Sequence, residues 1–180
     1  SSTDDMVANR RHLHKRPEEG WTEFETTYFV YQYLTKLGLP VTIGKANINE
    51  KEVLGRDETL VADGMKRALA HGVPQEFLDK TEGFTGCVAV LDTGRPGPVT
   101  AFRSDMDCVL VRETDDPEHL PNKLGFASER PGFMHACGHD GHTAVGLEVA
   151  RWLVENKDKL CGKFKCIFQP PKNVSASSSV

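Results

Sequence analysis

From Gly86 onward the chain sets three short apolar runs around one long amphipathic stretch, and few folds satisfy that order. "GCVAVLDTG" and "PVTAFRSDMD" share the connector "TGRPG", whose Gly and Pro mark a turn. They predict neighbouring strands, the second ending in Asp105 and Asp107. "GHTAVGLEVARWLVENKDKL" predicts a helix with Val145, Val149, Trp152 and Leu153 on one face, and "KFKCIFQ" a further strand. Strands interleaved with helices of this length imply an α/β fold with a mixed sheet.

The first half is more helical. Thr3 or Asp4 can cap a helix running to about Arg16, stopped by Pro17. "EFETTYFVYQYLTKLG" places Phe24, Tyr28, Tyr31 and Leu34 at three- and four-residue spacing, with Gly38 as a stop. "PVTIG" is a short strand. Residues 47–82 are polar and helical in pattern, an insertion between two strands, and residues 112–133 are a Pro- and charge-containing loop. "PPKNVSASSSV" has no periodicity. The expected organisation is one domain over residues 1–170, followed by a polar tail at 171–180.

Composition narrows the function classes. A formal charge of −4 argues against nucleic acid as a partner. No run approaches the roughly 18 apolar residues of a membrane span, so no membrane is expected. "SSTDDMVANRRHLHKRPEE" lacks the apolar core of a secretory signal. Five cysteines, odd in number and without a CxxC pair, read as a reduced, cytoplasmic protein. Cys108, Cys161 and Cys166 are expected in the core.

Chemistry concentrates in "FMHACGHDGHT", which holds three of the seven histidines. If Met134–Asp140 is extended, residues 135, 137 and 139 share a side. Cys137 and His139 then converge with His135 nearby, and Asp140 caps the next helix, ahead of Gly141, His142 and Thr143. A thiolate near a helix N-terminus forms more easily, and Asp140 or His142 could support the ligands. The residues alone also admit capping histidines around a small buried cysteine. Two ligands do not complete a zinc site, which needs four, or three plus water when catalytic. Asp105 and Asp107, at a strand end, can orient a ligand histidine or be solvated acids. Glu18, Glu19 and Glu23 read as helix-end charges.

Four stretches, "RRHLHKRPEEGWTEFETT", "GFTGCVAVLDTGRPGPVTAFRSDMD", "FMHACGHDGHTAVGLEVARWL" and "GKFKCIFQP", resemble in that order the metal-dependent amidohydrolases of the aminoacylase/carboxypeptidase type. The 47–82 insertion and "TGRPGPV" resemble the members acting on p-aminobenzoyl-glutamate. The resemblance implies a mixed-sheet metallopeptidase-like catalytic domain, here incomplete, with the family's dimerisation domain absent. It implies a divalent cofactor, manganese or zinc, two ions in a complete member, and hydrolysis of a small-molecule amide. Carried over, Cys137 and His139 match two metal ligands. Asp105 and Asp107 match the "ADMDA" motif, with Ser104 and Cys108 in place of its small residues, while His135, Asp140 and His142 complete the histidine motif.

The resemblance breaks after Gln169, where the family continues "QPAEE" and this chain reads "QPPKN". Lys172 occupies the general-base position and Asn173 a ligand position; an ammonium only donates and accepts no proton from water. The expectations are therefore a shortened or altered C-terminal end and a catalytically incomplete chain. An alternative is a non-catalytic binding or regulatory fragment, whose partnership would be homo-oligomerisation or association with a full-length subunit.

Overall fold

The computed structural model describes residues 1–171. Helix α1 spans Ser2–Lys15 and α2 spans Phe24–Lys36. The α1 cap is Ser1, ahead of the expected Thr3 or Asp4. Its hydroxyl accepts from the Asp4 N–H while the Asp4 carboxylate reaches back, a reciprocal cap that takes up two orphan donors. Strand β1 is Val41–Ile43. The polar segment that follows holds α3, Glu58–Ala70, and α4, Gln75–Thr81.

Strands β2 (Cys87–Asp92), β3 (Val99–Asp105) and β4 (Lys163–Gln169) complete a four-stranded sheet in the order β1-β2-β4-β3. Here the expectation of adjacent β2 and β3 fails. β4 lies between them, antiparallel to β2 and parallel to β3, so the sheet is mixed. The connector at 93–98 is a clasp around the start of β4: Thr93 N–H donates to Gly162 O at 3.1 Å and Lys163 N–H to Pro98 O at 3.0 Å. A Cβ on Gly162, at φ +79°, would stand 2.1 Å from Pro98 O, so only glycine fits there.

Between β3 and β4 the chain makes the short α5, Leu120–Lys123, and the long α6, His139–Glu155. α2 and α6 cover one sheet face. Val30 and Leu34 from α2 and Leu147, Ala150 and Leu153 from α6 pack on Cys87, Ala89, Cys166 and Phe168. A second core joins Trp21 and Phe24 to Val61, Ala68, Phe77 and Leu78. α2 thus serves both cores, with Tyr28 and Tyr31 turned toward the second.

The buried face of α6 also differs from the expected one. Val145 and Trp152 are 51% and 53% exposed, while Ala144, Gly146, Leu147, Ala150 and Leu153 are buried. Small residues let the helix approach the sheet closely, and that geometry outweighed the larger side chains. Cys87, Cys108 and Cys166 are buried, but Cys161 is exposed, so it is not a core residue. No described helix is long and apolar enough to cross a membrane.

Candidate metal centre

Residues 134–140 are not extended. Met134 makes one antiparallel bridge to Val109, Ala136 and Cys137 turn, and α6 starts at His139. Gly138, at φ +81°, is the N-cap, and it offers no side chain. Asp140 is therefore the second helical residue rather than the cap. The expected shared side of residues 135, 137 and 139 does not form: His135 is buried, Cys137 is exposed and His139 already opens the helix.

The helix start lands against the end of β3. Buried Met106 anchors that end in the core, with the half-buried Asp105 and Asp107 on either side of it. Thr143 donates its hydroxyl to the Asp105 backbone oxygen at 3.0 Å, pinning the first turn of α6 to the strand. Among the described residues His139 Nδ1 faces only Asp107 acceptors, Oδ1 at 2.9 Å and the backbone oxygen at 3.0 Å. The proton therefore sits on Nδ1, leaving Nε2 as a free lone pair, the usual posture of a metal-binding histidine. Burial lifts the Asp107 carboxyl above its ordinary range; His139 counters this and Asp105 adds to it.

His142, one turn on from His139, holds its ring 5.1 Å away. Ligand atoms of Asp105, His139 and His142 all lie within 4.8 Å of one another. Gln169 Nε2 donates to Asp105 Oδ1 at 3.2 Å, which orients that carboxylate. One carboxylate oxygen and two imidazoles suit a divalent ion such as zinc or manganese.

Behind this turn runs a buried polar chain. Asp140 Oδ2 accepts from His14 Nδ1 at 2.8 Å and from Arg10 Nε at 2.9 Å. His14 Nε2 donates to Glu113 Oε1 at 2.8 Å, and His119 Nε2 reaches the same oxygen at 2.9 Å. The Ser128 N–H completes it on Glu113 Oε2 at 2.6 Å. Burial alone would lower the His14 pKa, but the Asp140 and Glu113 carboxylates outweigh it and raise it. Burial would raise the Asp140 carboxyl, yet His14, His135 and Arg10 hold it below the ordinary value.

Known proteins resemble this chain over most of its length. Residues 101–171 match the model of Peptidase family M20/M25/M40. Over those residues the chain is similar to part of a Peptidase M20 domain. It is 51% identical over 166 residues to a p-aminobenzoyl-glutamate hydrolase homolog from Haemophilus influenzae, covering 92% of this chain and 39% of that protein. An aminobenzoyl-glutamate utilization protein from Klebsiella pneumoniae superposes with a TM-score of 0.72 at 37% identity, over 93% of this chain and 36% of the other. The Bacillus subtilis YXEP protein, a dinuclear metal-binding peptidase of the M20 family, gives 0.63 at 28% identity, over 94% and 35%. The chain thus spans little more than a third of the length of these relatives.

Among the residues anticipated from the M20-like motifs, Asp105, Asp107, His139 and His142 meet. Cys137 stands exposed in the preceding turn, outside the Asp105–His139–His142 group. His135 is buried with neither ring nitrogen partnered among the described residues, and burial pushes its pKa down to about 4. The Lys172 and Asn173 positions lie outside the described residues.

Glu18 and Glu23 of "RPEEGWTEF" do stand at the start of α2, as expected, but both are buried. Glu18 is fully buried and accepts from the Glu25 and Thr26 N–H groups at 3.0 and 2.7 Å, capping α2 from within; burial and the charge of Glu25 push its pKa to about 7. Glu23 is fully buried, with one oxygen unpartnered among the described residues, and burial raises it well above the ordinary range. Glu19 is paired with Arg130 at 3.1 Å. Sequence reasoning also passed over Arg10, His14 and Glu113; the charged stretch "RRHLHKRPEE" contains the first two, and no local signal marked Glu113.

Proposed function

We propose that this chain supplies a metal-holding portion of an amidohydrolase acting on N-acyl amino acids of the p-aminobenzoyl-glutamate type. The observation that carries the reading is His139, fixed by Asp107 as an Nδ1–H tautomer, beside Asp105 and His142. Asp105, His139 and His142 would hold a divalent ion, with the thiolate of Cys137 as a further ligand reached from the adjacent turn. When bound, such an ion supplies Lewis acidity toward an amide carbonyl and acidifies water. Asp107 keeps the His139 ring aligned, and Gln169 steadies Asp105. The names of the Haemophilus and Klebsiella relatives support the substrate class. Zinc or manganese is the proposed ion, and a reducing, cytoplasmic setting is supported by five unpaired cysteines.

The proposal includes catalytic incompleteness, since Lys172 offers no acceptor where the resemblance places a general base. The test is metal content of the purified chain by plasma mass spectrometry, with His139→Ala and Cys137→Ser alongside, and a p-aminobenzoyl-glutamate hydrolysis assay. Bound metal that falls in His139→Ala, without turnover, is the expected result. No metal above background would overturn the metal reading; turnover would overturn the incompleteness.

A second reading, a non-catalytic fragment that self-associates or joins a full-length partner, is favoured by one feature. Among the described residues β3 is an edge strand whose Val99 and Phe102 are 61% and 39% exposed, an open template for association. Concentration-dependent size in solution tests it.

A further inference from the structure

We propose that His14 is a positioning residue for the metal-bearing turn of α6, acting through its simultaneous hydrogen bonds to Asp140 and Glu113. This rests on the metal reading above. Thr143 and His139 tie the strand-facing side of this turn to Asp105 and Asp107, while its other side has no cap of its own. Its N-cap is a glycine in the left-handed region, without a capping side chain. A first turn lacking a cap leaves backbone donors to be held from elsewhere. On that side the anchor is Asp140, between the two histidines in sequence but directed into the protein.

The Asp140 carboxylate is fully buried and its bonds run in three directions. Oδ1 accepts from the Gly141 N–H at 2.9 Å, within the turn; Oδ2 accepts from Arg10 and from His14. Arg10 is 42% exposed at its side chain, so its hold is compliant, whereas the His14 side chain is 2% exposed. The His14 ring also packs edge-on to Phe126 at 5.6 Å, which fixes its plane. Both ring nitrogens face carboxylates, so both carry protons and both donate.

The second donor reaches Glu113, whose remaining bonds to His119 and Ser128 pin the long β3–α6 connection. One imidazole therefore ties together α1, this connection and the start of α6. These are the segments whose relative placement determines where His139 and His142 meet Asp105. Charge balance alone would not need this arrangement, because Arg10 already neutralises Asp140. What His14 adds is direction.

The experiment uses the whole 180-residue chain, with zinc alone as probe, in His14→Gln, Asp140→Asn, the double variant and Glu113→Gln. Zinc affinity is read by chelator competition, and the His139 ring by nitrogen NMR. His14→Gln is expected to keep its circular dichroism and cooperative unfolding while losing about tenfold in zinc affinity, the scale of outer-shell changes. The His139 ring should shift from pure Nδ1–H toward a tautomer mixture. The double variant should be no weaker than Asp140→Asn, because the two residues act in series. Glu113→Gln, which leaves the His14–Asp140 bond, should move both readouts less and serves if His14→Gln does not fold. Unchanged affinity and an unchanged His139 tautomer in a folded His14→Gln would overturn the proposal, as would losses that add to those of Asp140→Asn. If the unmodified chain takes up no zinc, the metal reading fails separately, and the His139 tautomer alone decides the role of His14.

Discussion

Gly146→Ala is the most informative single change in the scaffold. Gly146 lies inside α6, where alanine is ordinarily preferred by about 1 kcal/mol. Helix propensity alone therefore predicts a more stable protein. The structure predicts the reverse. The new Cβ would stand 2.3 Å from Ser104 Oγ and 2.9 and 3.1 Å from Phe168 Cε1 and Cζ. Ser104 can rotate its hydroxyl, but Phe168 is 1% exposed and locked in the main core. Overpacking of this kind costs about 1–3 kcal/mol, so the net expectation is a loss of up to about 2 kcal/mol. Gly141→Ala, in the same helix with nothing within 4 Å, is the control and should gain stability. Urea unfolding at constant m-value gives the order Gly141→Ala above wild type above Gly146→Ala. Relief of the contact also moves α6 away from the end of β3, so zinc affinity should fall in Gly146→Ala. Equal stabilisation by both alanines would refute the argument that backbone proximity at Gly146 sets the helix–sheet distance.

Asp107→Ala should leave the His139 ring free to rotate and weaken zinc binding by about 10–100-fold, measured by chelator competition; unchanged affinity would remove Asp107 from the centre. Cys137→Ser should lower bound metal less than His139→Ala does, and equal losses would make the thiolate a principal ligand. In metal-free protein, the depressed His135 pKa means the unfolded chain binds the extra proton first. Its contribution is full above pH 6.5 and lost toward pH 4, about 3 kcal/mol in all. The stability difference between wild type and His135→Gln should therefore grow in favour of wild type as pH rises across that window; a flat difference would refute it. Glu18 acts with the opposite sign: its raised pKa stabilises below pH 4.5 and loses about 3 kcal/mol by pH 7. Glu18→Gln should accordingly remove a decline with rising pH, read from the same urea series, and an unaltered slope would count against it.

Local pattern was enough for the parts of this protein whose energetics are local. The helices α1, α2 and α6 follow from spacing and stop signals within a few residues, and the strands from short apolar runs bounded by Gly and Pro. Asp105 and Asp107 were placed at a strand end by the apolar run before them, and His139 and His142 stood out by their clustering in "FMHACGHDGHT", although the extended geometry expected for 134–140 did not form. Beyond that range the reading failed in an instructive way. The entry of β4 between β2 and β3 depends on a crossover of more than fifty residues, and no feature of "TGRPG" distinguishes a hairpin from a clasp. Hydrophobic size pointed to Val145 and Trp152, whereas close packing selected the small residues of α6. The burial of Glu18 and Glu23, and the bond between His14 and Asp140 across 126 positions, are decided by which surfaces meet. A buried charge is tolerable only beside its partners, and those partners come together only when the whole chain has folded.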